Sequence, residues 1–156
     1  MQPIIVQLPD PSATDAVGRR LASCLAPGQV VTLSGELGAG KTALARAMLR
    51  TLGVKGPIKS PSYTLVEVYA ISNLYFYHFD FYRFNEPQEW EAAGFREYFR
   101  SDSICLIEWP EKASGFLPRP TLALTLEISE PGRRLAIRTQ VADVEACLAR
   151  LNLHPA

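Results

Sequence analysis

Eight consecutive residues constrain this chain more than any others: Gly35-Glu36-Leu37-Gly38-Ala39-Gly40-Lys41-Thr42. They fit G-x-x-x-x-G-K-[ST] at every specified position. The flanks fit as well. The apolar run Val30-Val31-Thr32-Leu33 precedes them, and Leu44, Ala45, Met48, Leu49 and Leu52 recur at helical spacing afterwards, up to Gly53. Strand, loop and helix in that order build a phosphate-binding loop rather than a mere glycine-rich helix cap. The glycines let the backbone curl, so that N–H groups of Leu37, Gly38, Ala39, Gly40, Lys41 and Thr42 turn inward as an anion nest. The helix that follows adds its positive end. Lys41 supplies a mobile charge for β- and γ-phosphates, and the Thr42 hydroxyl is placed to ligate Mg²⁺. The expected ligand is Mg²⁺–ATP.

The rest of the chain supplies the elements around that loop. Residues 4–8 read as a strand. A helix capped by Asp10 or Ser12 then carries Val17, Leu21 and Leu25 inward and closes at Pro27-Gly28. Residues 64–71 and 74–81 form a hairpin around Ser72-Asn73, and residues 122–128 and 135–139 a second around Glu130-Pro131-Gly132. Between them lie helical stretches at 86–93 and 95–99 and a buried strand at 103–107 ended by Glu108. A final helix spans 143–151 with Val144, Leu148 and Leu151 inward. The expected fold is a three-layer α/β P-loop NTPase domain over residues 1–156, with a mixed sheet that contains antiparallel hairpins.

Charge narrows the function. Sixteen Lys and Arg balance sixteen Asp and Glu, so the basic face of a backbone-gripping nucleic-acid binder is not expected. Cys24, Cys105 and Cys147 lie far apart with no metal-ligand spacing, and are read as reduced core thiols of a cytoplasmic protein. The first residues lack a basic stretch followed by a long apolar run, so no leader is expected. No apolar run is long enough to span a membrane.

A P-loop needs an acid at the end of a neighbouring strand to orient Mg²⁺ or water. Glu108 and Asp80 both end apolar runs, where burial is costly unless a cation meets the carboxylate. Asp80 has an alternative as a cap or as a partner of Arg83. His78 shares a strand face with Asp80 and is read as structural or orienting rather than as a base. Ser60-Pro61-Ser62-Tyr63-Thr64 offers three aliphatic hydroxyls where P-loop enzymes often carry a nucleotide-sensing segment. Trp109 after Glu108 has no evident chemical need and reads as packing.

These elements resemble one family. The loop Gly35–Thr42, Ser60-Pro61-Ser62-Tyr63-Thr64, His78-Phe79-Asp80-Phe81-Tyr82-Arg83 and Glu108-Trp109-Pro110-Glu111 occur in the order and spacing of the TsaE (YjeE) family, over roughly residues 8–138. The resemblance implies a small bacterial ATPase acting with TsaB and TsaD in forming N6-threonylcarbamoyladenosine at position 37 of tRNAs reading ANN codons. TsaD transfers the group, and the ATP cycle resets the complex. tRNA is then met only through the partners, with no membrane involved. The resemblance further implies phosphate binding by Lys41, Mg²⁺ ligation by Thr42 and Glu108, and a role for Asp80 in hydrolysis. It puts a switch-like segment at 60–64, Trp109 beside the site, and the adenine end near Pro11 and Gly132-Arg133. Ser62 and Tyr63 depart mildly from the commoner Thr and Phe.

Three rivals remain. A GTPase needs an Asn-Lys-x-Asp run, which is missing. A small P-loop kinase needs an Arg-rich lid, for which Arg133-Arg134 is the only Arg pair after the P-loop. An assembly module acting by nucleotide binding rather than hydrolysis stays open. Hydrolysis by the isolated chain is expected to be slow, because no residue is an evident arginine finger. Arg83 is the nearest internal candidate, with pairing to Asp80 or Glu86 as the alternative.

Overall fold

Strand parity positions everything that matters here, because side chains two apart on a strand share a face. A computed structural model describes residues 2–153, so Met1 and the last three residues of the expected domain lie outside it. The elements are β1 (Ile4–Leu8), α1 (Pro11–Ala22), β2 (Val30–Ser34), α2 (Lys41–Thr51), β3 (Val66–Ile71), β4 (Leu74–Asp80), α3 (Glu89–Ala92), β5 (Ser103–Glu108), β6 (Leu122–Ser129), β7 (Gly132–Arg138) and α4 (Ala142–Leu151). Two 3₁₀ turns, Phe95–Tyr98 and Pro110–Ala113, flank β5. The strands form one seven-stranded sheet in the order β1-β7-β6-β2-β5-β4-β3. Its four inner strands β6, β2, β5 and β4 are parallel, and antiparallel pairs close both sides. The expected mixed α/β fold is what the chain adopts.

Parity divides the core. Val31 and Leu33 of β2, Ile104 and Leu106 of β5 and Phe76 of β4 meet α1, α2 and α4 in one cluster. Val30, Cys105, Ile107 and Phe79 face the other way, against Phe81, Phe84, Trp90 and Phe95. That second layer has little helix. It is an aromatic stack in which Phe81 and Phe84 lie parallel at 4.8 Å and Phe79 meets the edge of Phe95 at 5.3 Å. His78, Asp80 and Glu108 continue the parity of Phe76 and Leu106, so all three face α2 at the carboxyl ends of their strands. Ligands bind in that position in open α/β sheets.

Helix α1 is capped by the Asp10 side chain, which accepts from Ala13 N at 2.9 Å. It packs closely on α2, for a β-carbon on Gly18 would lie 2.6 Å from that of Ala47. This approach brings the start of α1 beside the start of α2. Four sequence expectations need correction. Helix α1 ends at Ala22, so Leu25 follows in a turn, and the helix expected over 86–93 is one short turn, Glu89–Ala92. The strand expected from residue 135 starts at Gly132, because β1 and β6 pair with its first residues from both sides. Cys24 and Cys147 are joined as a disulfide between the end of α1 and α4, with Cα atoms 5.7 Å apart, instead of remaining thiols. Cys105 is free and buried, and burial pushes its thiol up to about 12.

Candidate nucleotide site

The loop between β2 and α2 has the backbone that its glycines predict. Gly35, Gly38 and Gly40 have φ of 147°, 81° and 103°, values that L side chains adopt at a cost. Gly40 is the N-cap of α2 and brings no side chain to cap it. The first amides of the helix therefore face the loop's concavity. Lys41 is only 5% exposed. Its ammonium donates to the Gly35 carbonyl at 2.5 Å and the Glu36 carbonyl at 3.0 Å. Burial pulls its pKa below the ordinary value, against the opposing pull of Glu108, Asp80, Glu111 and Glu36.

Trp109 closes over this lysine. The ammonium lies 4.1 Å from the centre of the indole ring, a cation–π contact. Trp109 reaches that position by adopting a left-handed backbone, φ 58°, directly after β5. Tyr82 packs against the same indole, tilted, with ring centroids 4.9 Å apart. The sequence alone gave this indole no task, because an αL conformation at a bulky residue leaves no trace in composition or periodicity.

Four polar side chains meet beneath the loop. Thr42 Oγ1 donates to the Glu108 carboxylate, 3.1 Å from Oε1 and 3.0 Å from Oε2. His78 Nε2 lies 2.6 Å from Glu108 Oε2. Asp80 stands opposite Glu108 in the β4–β5 register and accepts from Tyr82 N at 2.9 Å. Burial is the main cause that raises the Asp80 carboxyl above its usual range, with Glu108 adding repulsion, while the Tyr82 amide, His78 and Lys41 act the other way. Two buried carboxylates and a hydroxyl side by side are a hard oxygen donor set suited to Mg²⁺. Among the described residues no three His, Cys, Asp or Glu side chains converge as a closed metal cage.

Two cavities of about 270 Å³ each meet at Gly40 and Ala43. One is lined by Leu37, Gly38, Lys41, Thr42, Asp80 and Glu108, with Ser62 and Trp109 at its rim. The other is mostly apolar. It lies between Pro9, Pro11 and Thr14 on one side and Pro131, Gly132 and Arg133 on the other, with Ala39 at its floor. Arg133 ties the two together by donating to the Gly38 carbonyl at 3.1 Å. Every residue singled out in the sequence for catalysis, nucleotide or metal thus lines one of these two spaces. Pro9, Thr14, Ala43 and Pro131 were missed. Thr14 had a legible signal, a hydroxyl one turn from Pro11 on the buried side of α1. Pro9 and Pro131 are brought together by the pairing of β1 with β7, and Ala43 is brought beside them by the packing of α2 on α1.

The segment at 60–64 reaches the site through Ser62, whose hydroxyl pairs with that of Ser60 at 2.7 Å. Arg83 pairs with neither Asp80 nor Glu86. Its guanidinium lies 4.2 Å from the centre of the Tyr63 ring, and Tyr63 is 81% exposed.

Comparison with known proteins agrees with the fold. The family described as "Threonylcarbamoyl adenosine biosynthesis protein TsaE" matches residues 8–136. The chain belongs to the TsaE family. The tRNA threonylcarbamoyladenosine biosynthesis protein TsaE of Haemophilus influenzae is 41% identical over 145 residues, covering 90% of this chain and 92% of its own. The Bacillus subtilis TsaE is 35% identical over 118 residues, covering 76% and 73%. A crystal structure of Bacillus subtilis YdiB superposes with a TM-score of 0.80 at 26% identity, over 96% of this chain and 94% of that one. A TsaE-family chain has its place in tRNA threonylcarbamoyladenosine biosynthesis, and no helix among the described residues is long and apolar enough to cross a membrane.

Proposed function

We propose that this chain is a cytoplasmic single-domain ATPase that binds Mg²⁺–ATP, hydrolyses it slowly, and drives repeated turnover of a TsaB–TsaD complex forming N6-threonylcarbamoyladenosine on tRNA. The observation that carries the reading is the pair of cavities joined at Gly40 and Ala43. One is apolar and suits a base. The other holds a lysine, a hydroxyl and two carboxylates and suits a metal triphosphate. The one carboxylate lining the apolar cavity, Asp10, is committed to capping α1 at Ala13 N, which favours adenine over guanine.

The residues divide the work. Lys41 leaves the carbonyls of Gly35 and Glu36 for the β- and γ-phosphates, while the loop amides and the end of α2 hold the remaining charge. Thr42 and Glu108 hold the ion, whose chemistry is to neutralise charge on the phosphates. Asp80, buried beside Glu108, is placed to orient water. Arg83 is engaged with Tyr63, and Arg133 with the carbonyls of Gly38 and Gly132, so neither is free to act as an arginine finger. A partner finger is worth roughly 10³–10⁵ in rate, which accounts for slow turnover alone. The balanced charge of the chain fits a protein that meets tRNA through TsaB and TsaD.

Reconstitution tests the reading. tRNA threonylcarbamoylation is followed with TsaB, TsaD and the threonylcarbamoyl-AMP-forming enzyme, with the chain present, absent or carrying Lys41→Ala. Product should stall near one turnover per TsaD without the wild-type chain. Equal support from Lys41→Ala would remove nucleotide chemistry from the role. A Glu108→Ala chain that binds ATP, fails to hydrolyse it and still sustains turnover would favour the assembly module.

A further inference from the structure

His78 is an uneconomical residue for its position. It lies in the middle of β4, between Glu67 of β3 and Leu106 of β5, and is fully buried. Leucine or phenylalanine would fill the space without desolvation cost, as Phe76 and Phe79 do nearby. The imidazole instead makes one hydrogen bond, to Glu108 Oε2 at 2.6 Å, and its Nδ1 has no partner. Glu67, beside it in the sheet, turns its own carboxylate to the Thr64 hydroxyl at 3.1 Å. A ring with an orphaned nitrogen lowers stability. The contact with Glu108 is the only thing it gains.

The unpartnered nitrogen also identifies the tautomer. A buried N–H without an acceptor costs more than a bare lone pair of the same ring, so the proton belongs on Nε2 and is donated to Glu108. One lone pair of Oε2 is thereby fixed, and the carboxylate cannot rotate out of reach of Thr42. We infer that His78 is a positioning residue for Glu108: it holds the carboxylate in the plane where it shares a metal ion with Thr42, and it touches neither metal nor nucleotide itself. This inference rests on the Mg²⁺–nucleotide reading of the site. An outer partner of a metal ligand acts in this way, and its removal commonly weakens metal affinity about 10- to 100-fold.

The test separates metal from nucleotide. ADP binding is measured by calorimetry with Mg²⁺ and again with EDTA, and the ratio of the two affinities is the metal enhancement. Wild type and Thr42→Ala come first. If Mg²⁺ does not strengthen binding to wild type, the reading of the site itself fails. With that enhancement established, His78→Leu should reduce it about tenfold or more while affinity in EDTA stays within twofold. His78→Gln places an N–H where Nε2 was and should restore most of the enhancement. His78→Asn places one where Nδ1 was and should not. This last pair decides the matter even if the leucine variant does not fold. Enhancement unchanged in His78→Leu, equal behaviour of the Gln and Asn variants, or equal weakening with and without Mg²⁺ would each overturn the inference and leave His78 a packing residue.

Discussion

Replacing Gly132 with alanine should separate the two halves of the site. A β-carbon there would lie 2.7 Å from Pro9 Cα and closer still to the Leu8 carbonyl oxygen, where ordinary contact begins at 3.4 Å. The end of β1 must therefore retreat from β7 by about 1 Å. Both contacts are backbone, so no side chain can swing aside. Crowding of this kind costs about 1–3 kcal/mol of stability. The retreat also moves Pro9 and Pro11 away from Gly132 and Arg133, the two walls of the apolar cavity. A gap of 0.5–1 Å forfeits roughly a quarter to a half of a dispersion contact. If the flat contact of the base contributes about 3 kcal/mol, the loss is about 0.75–1.5 kcal/mol. That corresponds to a roughly 4- to 12-fold weaker affinity for ATP. Inorganic tripolyphosphate, which has no base, should bind Gly132→Ala and wild type alike. Titration calorimetry with both ligands, at a temperature where both proteins are folded, checks this. Equal weakening of ATP and tripolyphosphate, or no weakening of ATP, would refute the division into a base cavity and a phosphate cavity.

The other predictions concern stability. Asp80 has a raised carboxyl pKa in the fold, so the folded state binds more protons than the unfolded one between the two values and loses stability as pH rises through them. Asp80→Asn, which can still accept from Tyr82 N, should therefore melt higher than wild type at pH 7 in EDTA, with the gap closing below about pH 4; a lower melting point at pH 7 would contradict it. Gly18→Ala should destabilise by about 1–2 kcal/mol despite the helix preference of alanine, because Ala47 blocks the new methyl. Denaturant unfolding should show that Ala47→Gly restores most of the loss in the double variant. Thiol titration of unreduced, denatured protein should find one reactive thiol, Cys105, because Cys24 and Cys147 are bridged. A bridge across 123 residues contributes up to about 5 kcal/mol on loop-closure grounds, so reductant should lower the melting point. Three reactive thiols would remove the bridge.

The amino-acid sequence determined the parts of this site that are local. The octapeptide Gly35–Thr42 carries its conformation in its own glycines, and the apolar run before it and the helical periodicity after it require nothing from the rest of the chain. Glu108 and Asp80 were legible for the same reason, since each is an acid at the end of a run too apolar to lie at the surface. Even the shared face of His78 and Asp80 follows from the two-residue period of a strand. What the fold alone decided involves residues distant along the chain. Pro11 and Arg133 were named through resemblance, yet only the antiparallel pairing of β1 with β7 makes them opposite walls of one cavity. Cys24 and Cys147 gave no sign of each other, because their approach depends on α4 returning to the end of α1. The bond between His78 and Glu108 needs β4 and β5 parallel and in register, a long-range pairing that no local preference encodes. Trp109 needs a left-handed residue that only the tertiary packing over Lys41 holds in place. Local pattern fixes what a segment is, while the energy of pairing distant segments fixes what it stands beside.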